Sequence, residues 1–144
     1  MQALSLLGPL DALEPIVRYL ILVLVLVNMG TRMLAFRNYR KQARDDDRET
    51  LNRWVPHELS NMVLVLASFY FLTLHHHAGI VLSTLVLGLF ITDFFEVEAR
   101  SVEMRRGVPL DKPKAAVTAS FVVFLYAAYQ SVFFLIEPFW SAIV

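Results

Sequence analysis

The chain alternates between long apolar segments and short polar ones. In the stretch 59–98, two apolar segments are joined by the sequence HHHAG at 75–79. Read as one helix, this stretch would be about 60 Å long at ~1.5 Å per residue, twice the ~30 Å thickness of bilayer hydrocarbon. The chain must therefore turn at the histidines, which predicts a transmembrane helical hairpin with a polar tip.

Two further apolar segments flank this hairpin and are each long enough to span a bilayer. Gly107, Pro109 and Pro113 end the helix that leaves the hairpin, since proline cannot continue a helix. The pattern predicts an all-α fold, a single integral membrane domain over 1–144 built as a four-transmembrane-helix bundle of two helical hairpins. The predicted helices are 16–36, 57–74, 78–95 continuing to about 105, and 115–136.

The basic residues predict the orientation of these helices. Twelve of the thirteen lysines and arginines, all except Arg18, fall in the segments 32–53 and 100–114. Four spans place both segments on one side, and by the positive-inside rule that side is cytoplasmic. We therefore expect loops 37–56 and 96–114 in the cytoplasm, with the turn His75–Gly79 and the N and C termini outside.

Composition narrows the class of protein further. The apolar fraction is 57% and the mean hydropathy is +0.55, both typical of a membrane chain. The net charge of zero predicts no nucleic-acid partner, and the absence of cysteine removes thiol chemistry. No phosphate loop, HExxH pattern or nucleophile elbow is present. We therefore expect no enzyme activity and predict no cofactor.

Ionisable residues near the inner ends of the spans are the first candidates for a functional site. Arg32 and Asp93 lie at similar predicted depths, which predicts a contact between them. Glu96 and Arg100 are four residues apart on one helix and should also pair. Asn28 lies near the middle of the first span and is expected to hydrogen-bond to another helix. A structural ion pair and a proton or ion relay both explain Asp93, and the structural pair is favoured because the midplane offers no further acids.

The run His75, His76 and His77 is the second candidate site. Imidazoles bind metals and change charge near neutral pH. Successive helical residues point ~100° apart, however, so one helix cannot direct all three at one ion. A polar turn at the headgroup level is the favoured interpretation; haem or metal binding and proton sensing remain alternatives. His57 lies at the opposite end, which disfavours a bis-histidine haem within one subunit.

Two motifs carry a resemblance to a known family. The turn ASFYFLTLHHH at 67–77 and the exit LGLFITDFFEVEAR at 87–100 resemble a family of small, uncharacterised haloarchaeal membrane proteins, and the likeness extends over nearly the whole chain. Scarce lysine and clustered aspartate also suit a halophilic organism. The family has no assigned activity, so it supplies no catalytic residues. Its association with respiratory-chain gene surroundings implies an accessory role beside an electron-transfer complex.

These features favour a structural or accessory subunit of a membrane complex, with the lipid bilayer and other membrane proteins as partners. Faces of small residues at i, i+4 would allow close approach of helices from the same or another chain. The alternatives are a homo-oligomeric ion channel or small transporter, and a haem or metal protein that uses His75, His76 and His77.

Overall fold

The computed structural model describes residues 15–45 and 50–143, and this part of the chain is all-α with no strand. Four helices follow one another along the sequence. They are α1 (Val17–Gln42), α2 (Val55–Leu74), α3 (His76–Arg105) and α4 (Lys114–Ile143). The prediction of an all-α fold of four helices is confirmed, and all four are long and apolar enough to cross a membrane.

The helices form an antiparallel four-helix bundle in which each packs against its neighbours in sequence and α4 closes against α1. Contacts between the helices define two ends. Near the tip end, the Arg18 carbonyl of α1 accepts a hydrogen bond from Ser131 of α4, and His75 joins α2 to α3. The loop end carries the linkers 43–54 and 106–113. The first residues of α1 and the last of α4 therefore lie at the same end as His75.

Buried positions recur every three or four residues on each helix, which is the spacing of side chains in left-handed helical bundles. On α2 the buried residues are His57, Asn61, Leu64, Ser68 and Phe71. The tip half of the bundle contains one apolar cluster: Val17, Ile21, Val25, Leu64, Phe71, Leu82, Val86, Leu89, Val123 and Ala127. A second, the loop-end cluster, contains Ala35, Phe36, Tyr39, Leu51, Val97 and Leu110.

The outer surface of the bundle is apolar on all four helices. Between 25% and 33% of each membrane-length apolar window is buried inside the bundle, so most of each window faces outward. Leu26, Leu66, Ile91 and Leu125 are each half exposed or more. A soluble protein rarely exposes so much contiguous apolar surface.

The tip is tighter than the sequence predicts. Only His75 lies outside a helix there, and His76, His77 and Gly79 already belong to α3. Gly79 is buried, and a methyl group at its position would collide with the backbone of Leu72. The glycine therefore acts by letting α2 and α3 approach each other closely, and the reversal needs only one extended residue.

The remaining boundaries follow from glycine and proline. Gly107 adopts a φ of 71°, a conformation that glycine takes without strain, just after the last turn of α3. Pro56 lies in the first turn of α2, as expected. α1 continues past the predicted end at residue 36 as far as Gln42, and residues 50–54 are not helical. Pro138 does not end α4, which continues to Ile143.

Candidate functional site

A layer of buried polar side chains lies between the two apolar clusters. We call Asn28, Arg32, His57, Asn61 and Asp93 the polar layer. Two come from α1 and two from α2, in each case four residues apart, so both members of a pair face the same way. Asp93 comes from α3. Each residue of the layer is at most 4% exposed, so water contributes little to its solvation.

Asp93 is the acceptor at the centre of this layer. Its Oδ1 accepts from Arg32 Nε at 3.3 Å, and its Oδ2 accepts from Asn61 Nδ2 at 2.8 Å. His57 Nε2 lies 3.1 Å from the same Oδ2. A buried carboxylate is costly unless it is paired and hydrogen-bonded, and here α1 and α2 both supply partners. The predicted contact between Arg32 and Asp93 is confirmed.

Asn28 links the arginine to the second helix. Its side-chain oxygen accepts from Arg32 Nη2 at 2.9 Å, while its Nδ2 donates to Asn61 Oδ1 at 2.6 Å and to Ser60 Oγ at 3.0 Å. Both functional groups of the amide are therefore used, and its expected hydrogen bond to another helix is confirmed. The layer is a connected network, which resists changes in the relative position of α1, α2 and α3.

His57 connects Asp93 to a hydroxyl on α1. Thr31 Oγ1 lies 2.8 Å from His57 Nδ1 and 3.0 Å from the backbone carbonyl of Asn28. The Thr31 hydroxyl can donate to only one of these two at a time. When it donates to the imidazole, His57 is neutral and its Nε2–H faces Asp93. When it donates to the carbonyl, Nδ1–H can donate to Thr31 and the imidazole carries both protons.

Glu96 and Arg100 form the outer boundary of the layer on α3. Arg100 Nη1 lies 3.2 Å from Glu96 Oε2, which confirms the predicted i, i+4 pair. Glu96 Oε1 also accepts from the backbone N–H groups of Ala115 and Ala116, at 2.8 and 3.3 Å. These are otherwise unpaired donors in the first turn of α4. Glu96 therefore fixes the start of α4 to α3.

A small cavity lies beside the layer at the loop end, and we call it the loop-end cavity. Its volume is about 20 Å³. The polar side chains that line it are Arg32, Tyr39, His57, Asp93, Glu96 and Arg100. Arg32 Nη1 has no hydrogen-bond partner among the protein groups that the structure describes. This buried donor and the carboxylates nearby give the cavity a polar character.

The histidines at the tip are arranged differently. His75 is half-buried, with its Nδ1 3.5 Å from Arg18 Nη2 and its ring 5.1 Å from that of Phe71. His76 and His77 are exposed in the first turn of α3. Within residues 15–45 and 50–143, no group of three His, Asp or Glu side chains is placed to hold a metal ion. Metal binding by this run stays a prediction.

The sequence-based site omits His57, Asn61 and Thr31. The sequence analysis places His57 only at the end of the bundle opposite the histidine run and gives it no partner. The available signal was the spacing: His57 and Asn61 are four residues apart and occupy one helix face, in line with Leu64 and Phe71. A polar pair on the inward face of an apolar helix indicates an internal partner, and Asp93 is that partner.

Comparison with known proteins identifies a family but no characterised relative. No curated protein and no solved structure matches the chain. A family model described as Domain of unknown function (DUF7313) matches residues 2–144, and the chain therefore belongs to this family.

Proposed function

We propose that the chain is an integral membrane protein that crosses the bilayer four times. The distribution of polarity supports this: apolar side chains cover the outside of the bundle, while Asn28, Arg32 and Asp93 lie inside. Such an arrangement suits a lipid environment, where intramembrane polar residues face the bundle interior. By the positive-inside rule the loop end lies in the cytoplasm, and the tip and both termini lie outside.

Within the membrane, we propose a structural or accessory role in a larger complex. Most polar groups of the layer bind one another, with Asp93 accepting from α1 and α2. Arg32 Nη1 is the exception among the described protein groups. The loop-end cavity has room for about one water molecule, far below the several hundred Å³ of a typical ligand pocket. The linkers of 12 and 8 residues, at 43–54 and 106–113, are short for a separate folded domain. The broad outer faces are left for lipid or neighbouring proteins.

The test is purification from native membranes in a mild detergent, followed by identification of co-purifying chains. We expect defined membrane-protein partners in fixed ratio. The organism that supplies these membranes also shows whether the halophilic origin implied by the resemblance is correct. The same preparation after stripping with a harsh detergent serves as the control. A monodisperse particle that contains this chain alone would contradict the accessory role.

A homo-oligomeric channel or small transporter is the second candidate, supported by the charged pair Arg32 and Asp93 deep in the bundle. A path through a single chain is disfavoured because Leu64, Phe71 and Leu89 fill the tip half with at most 2% exposure. Flux in proteoliposomes that changes with Asp93→Asn would support a channel. Flux no greater than in empty vesicles would rule out a channel or transporter.

The third candidate, a haem or metal protein, rests on His75, His76 and His77. An absorption spectrum and elemental analysis of the purified chain test it directly. A chromophore or a stoichiometric metal that is lost in a variant lacking all three histidines would support it. A colourless, metal-free protein would end it.

A further inference from the structure

The loop-end cavity has the size of a single water molecule. Its volume of about 20 Å³ exceeds the roughly 10–15 Å³ that one water needs. A water is held in a protein interior only when two to four polar groups bind it. An apolar cavity of this size would stay dry. Whether the loop-end cavity holds water therefore depends on the polar groups that line it.

Four lining groups match the hydrogen-bonding capacity of water. Arg32 Nη1 is a buried donor without a partner among the described protein groups, in a side chain that is 3% exposed. Tyr39 uses its hydroxyl oxygen to accept from the backbone N–H of Trp54, at 3.3 Å, which leaves its own proton to donate. Asp93 and Glu96 supply carboxylate oxygens as acceptors. Two donors and two acceptors complete the coordination of one water.

Charged side chains lead from the cavity toward the solution in one direction only, the loop end. Beyond Glu96 lies Arg100, whose Nε is 2.8 Å from Glu103 Oε2, and the Glu103 side chain is 23% exposed. In the other direction, toward the tip, the apolar cluster closes the bundle. A proton that enters from the loop end thus meets a chain of charged groups. One from the tip end meets the apolar cluster, where the buried hydroxyls of Ser68 and Ser83 already donate to the backbone carbonyls of Val65 and Ser68.

The polar layer can accept a proton without moving its helices. The Thr31 hydroxyl lies within hydrogen-bonding distance of both His57 Nδ1 and the Asn28 carbonyl. Rotation of this hydroxyl accommodates either the neutral or the doubly protonated imidazole. Asp93 accepts from Nε2–H in both cases, so the contact at 3.1 Å is kept.

We propose that the loop-end cavity binds one water molecule, and that through it the pair His57–Asp93 exchanges protons with the solution at the loop end and not at the tip end. This site goes beyond the accessory role and does not depend on it. It makes the polar layer a proton-binding site with access from one side.

Several charged or titratable groups surround His57 and set its electrostatic environment. Arg32 and Tyr39 face it from α1, and Glu58 is its neighbour on α2. Asp93, Glu96 and Arg100 line the same cavity from α3, while the segment that leads into α4 contributes Pro113, which does not titrate. Each of these groups except Pro113 can alter the protonation of His57, so the test compares variants that keep all of them and change only access to the cavity.

The experiment measures exchange of the imidazole Cε1 hydrogen for deuterium by mass spectrometry, on the full chain in detergent micelles. Ala35 is buried and lines the loop-end cavity, so Ala35→Val fills it. Ala127 lines a smaller cavity of about 10 Å³ at the tip end, so Ala127→Val is the matched control. We expect His57 to exchange in the native chain at a rate within about tenfold of exposed His76, although it is itself buried.

Ala35→Val should slow exchange at His57 by about tenfold or more, and Ala127→Val should change it by less than about twofold. No exchange at His57 in the native chain, no effect of Ala35→Val, or equal slowing by Ala127→Val would each overturn the proposal. Should Ala35→Val fail to fold, water-edited solid-state NMR of the native chain in lipid decides. Rapid magnetisation transfer from water to the His57 and Arg32 side chains supports the site, and its absence refutes it.

Discussion

The tip and the polar layer each place an arginine near a histidine, but they hold these groups in different ways. At the tip, half-buried Arg18 lies 3.5 Å from His75 and 5.7 Å from the centre of the Phe71 ring. In the polar layer, Arg32 and His57 meet on the carboxylate of Asp93, on opposite oxygens. The deeper arginine thus has a carboxylate in direct contact, which offsets the larger cost of its burial.

The same contrast extends to what holds the helices together at each end. Near the tip, Gly79 lets α3 approach the backbone of Leu72 on α2, and apolar side chains fill the interior. Toward the loop end, hydrogen bonds that Glu96 and Asp93 accept join the helices. Van der Waals packing therefore dominates at the tip, while polar networks add to the apolar loop-end cluster in the other half. Substitutions should affect the two halves by different mechanisms.

Removal of the carboxylate from the polar layer should have the largest effect. Asp93→Ala leaves Arg32 charged, buried and without its counter-ion, and we expect a loss of about 3–5 kcal/mol in the free energy of unfolding. Reversible unfolding by denaturing detergent, followed by circular dichroism, measures it.

Two further variants sharpen this prediction. The double variant Arg32→Met with Asp93→Leu removes both charges and should recover most of the loss. Arg18→Met at the tip should cost less than Asp93→Ala, because the Arg18 side chain is only half-buried. A double variant as unstable as Asp93→Ala would show that the charge pair is not the source of the effect.

A single added methyl group should disrupt the close packing of α2 and α3 at the tip. In Gly79→Ala the new Cβ meets the backbone of Leu72, and relief of that clash should cost about 1–3 kcal/mol of stability. Gly88 is the matched control, since it is exposed on the same helix and a methyl there meets nothing within 4 Å. Gly88→Ala should be neutral or stabilising by up to about 1 kcal/mol. Equal effects at the two glycines would refute the close approach.

Histidine substitutions should reduce stability in the polar layer but not at the tip. His57→Ala removes a buried partner of Asp93 and of Thr31, and should cost about 1–3 kcal/mol. His76→Ala changes an exposed side chain and should stay within about 0.5 kcal/mol of the native chain. Thermal unfolding in detergent compares them. A larger loss of stability in His76→Ala than in His57→Ala would contradict the structural importance of the polar layer.

The smallest of these effects concerns the start of α4. Glu96→Ala removes the acceptor for the Ala115 and Ala116 N–H groups, and a lost cap costs about 0.5–2 kcal/mol. Glu96→Gln keeps a side-chain oxygen there and should lose less. Amide hydrogen exchange at the first turn of α4 reports the effect locally. Unchanged exchange in Glu96→Ala would show that the cap does not hold α4.

Much of this architecture was predictable from the sequence. The lengths of the apolar segments and the charges of the loops predict four helices. The similar predicted membrane depths of Arg32 and Asp93 predict their contact. The positions of His57 and Thr31 were not predicted, because pairing across helices depends on their rotation about their axes. When a helix is apolar on nearly every side, its sequence does not show which side faces the bundle interior. The sequence likewise gives no sign that Glu96 caps α4, since that contact depends on how α3 and its linker are placed.

The separation of Arg32 and Asp93 along the chain has a consequence for biogenesis. Asp93 is synthesised 61 residues after Arg32, on the third helix rather than the second. In the proposed membrane setting, α1 is made and can enter the bilayer before Asp93, the carboxylate that pairs with its arginine, has been synthesised. The one-residue reversal at His75 then delivers α2 and α3 together, so His57, Asn61 and Asp93 reach the waiting arginine in one event. Until that hairpin arrives, Arg32 needs another source of solvation, such as water or lipid headgroups at the inner interface.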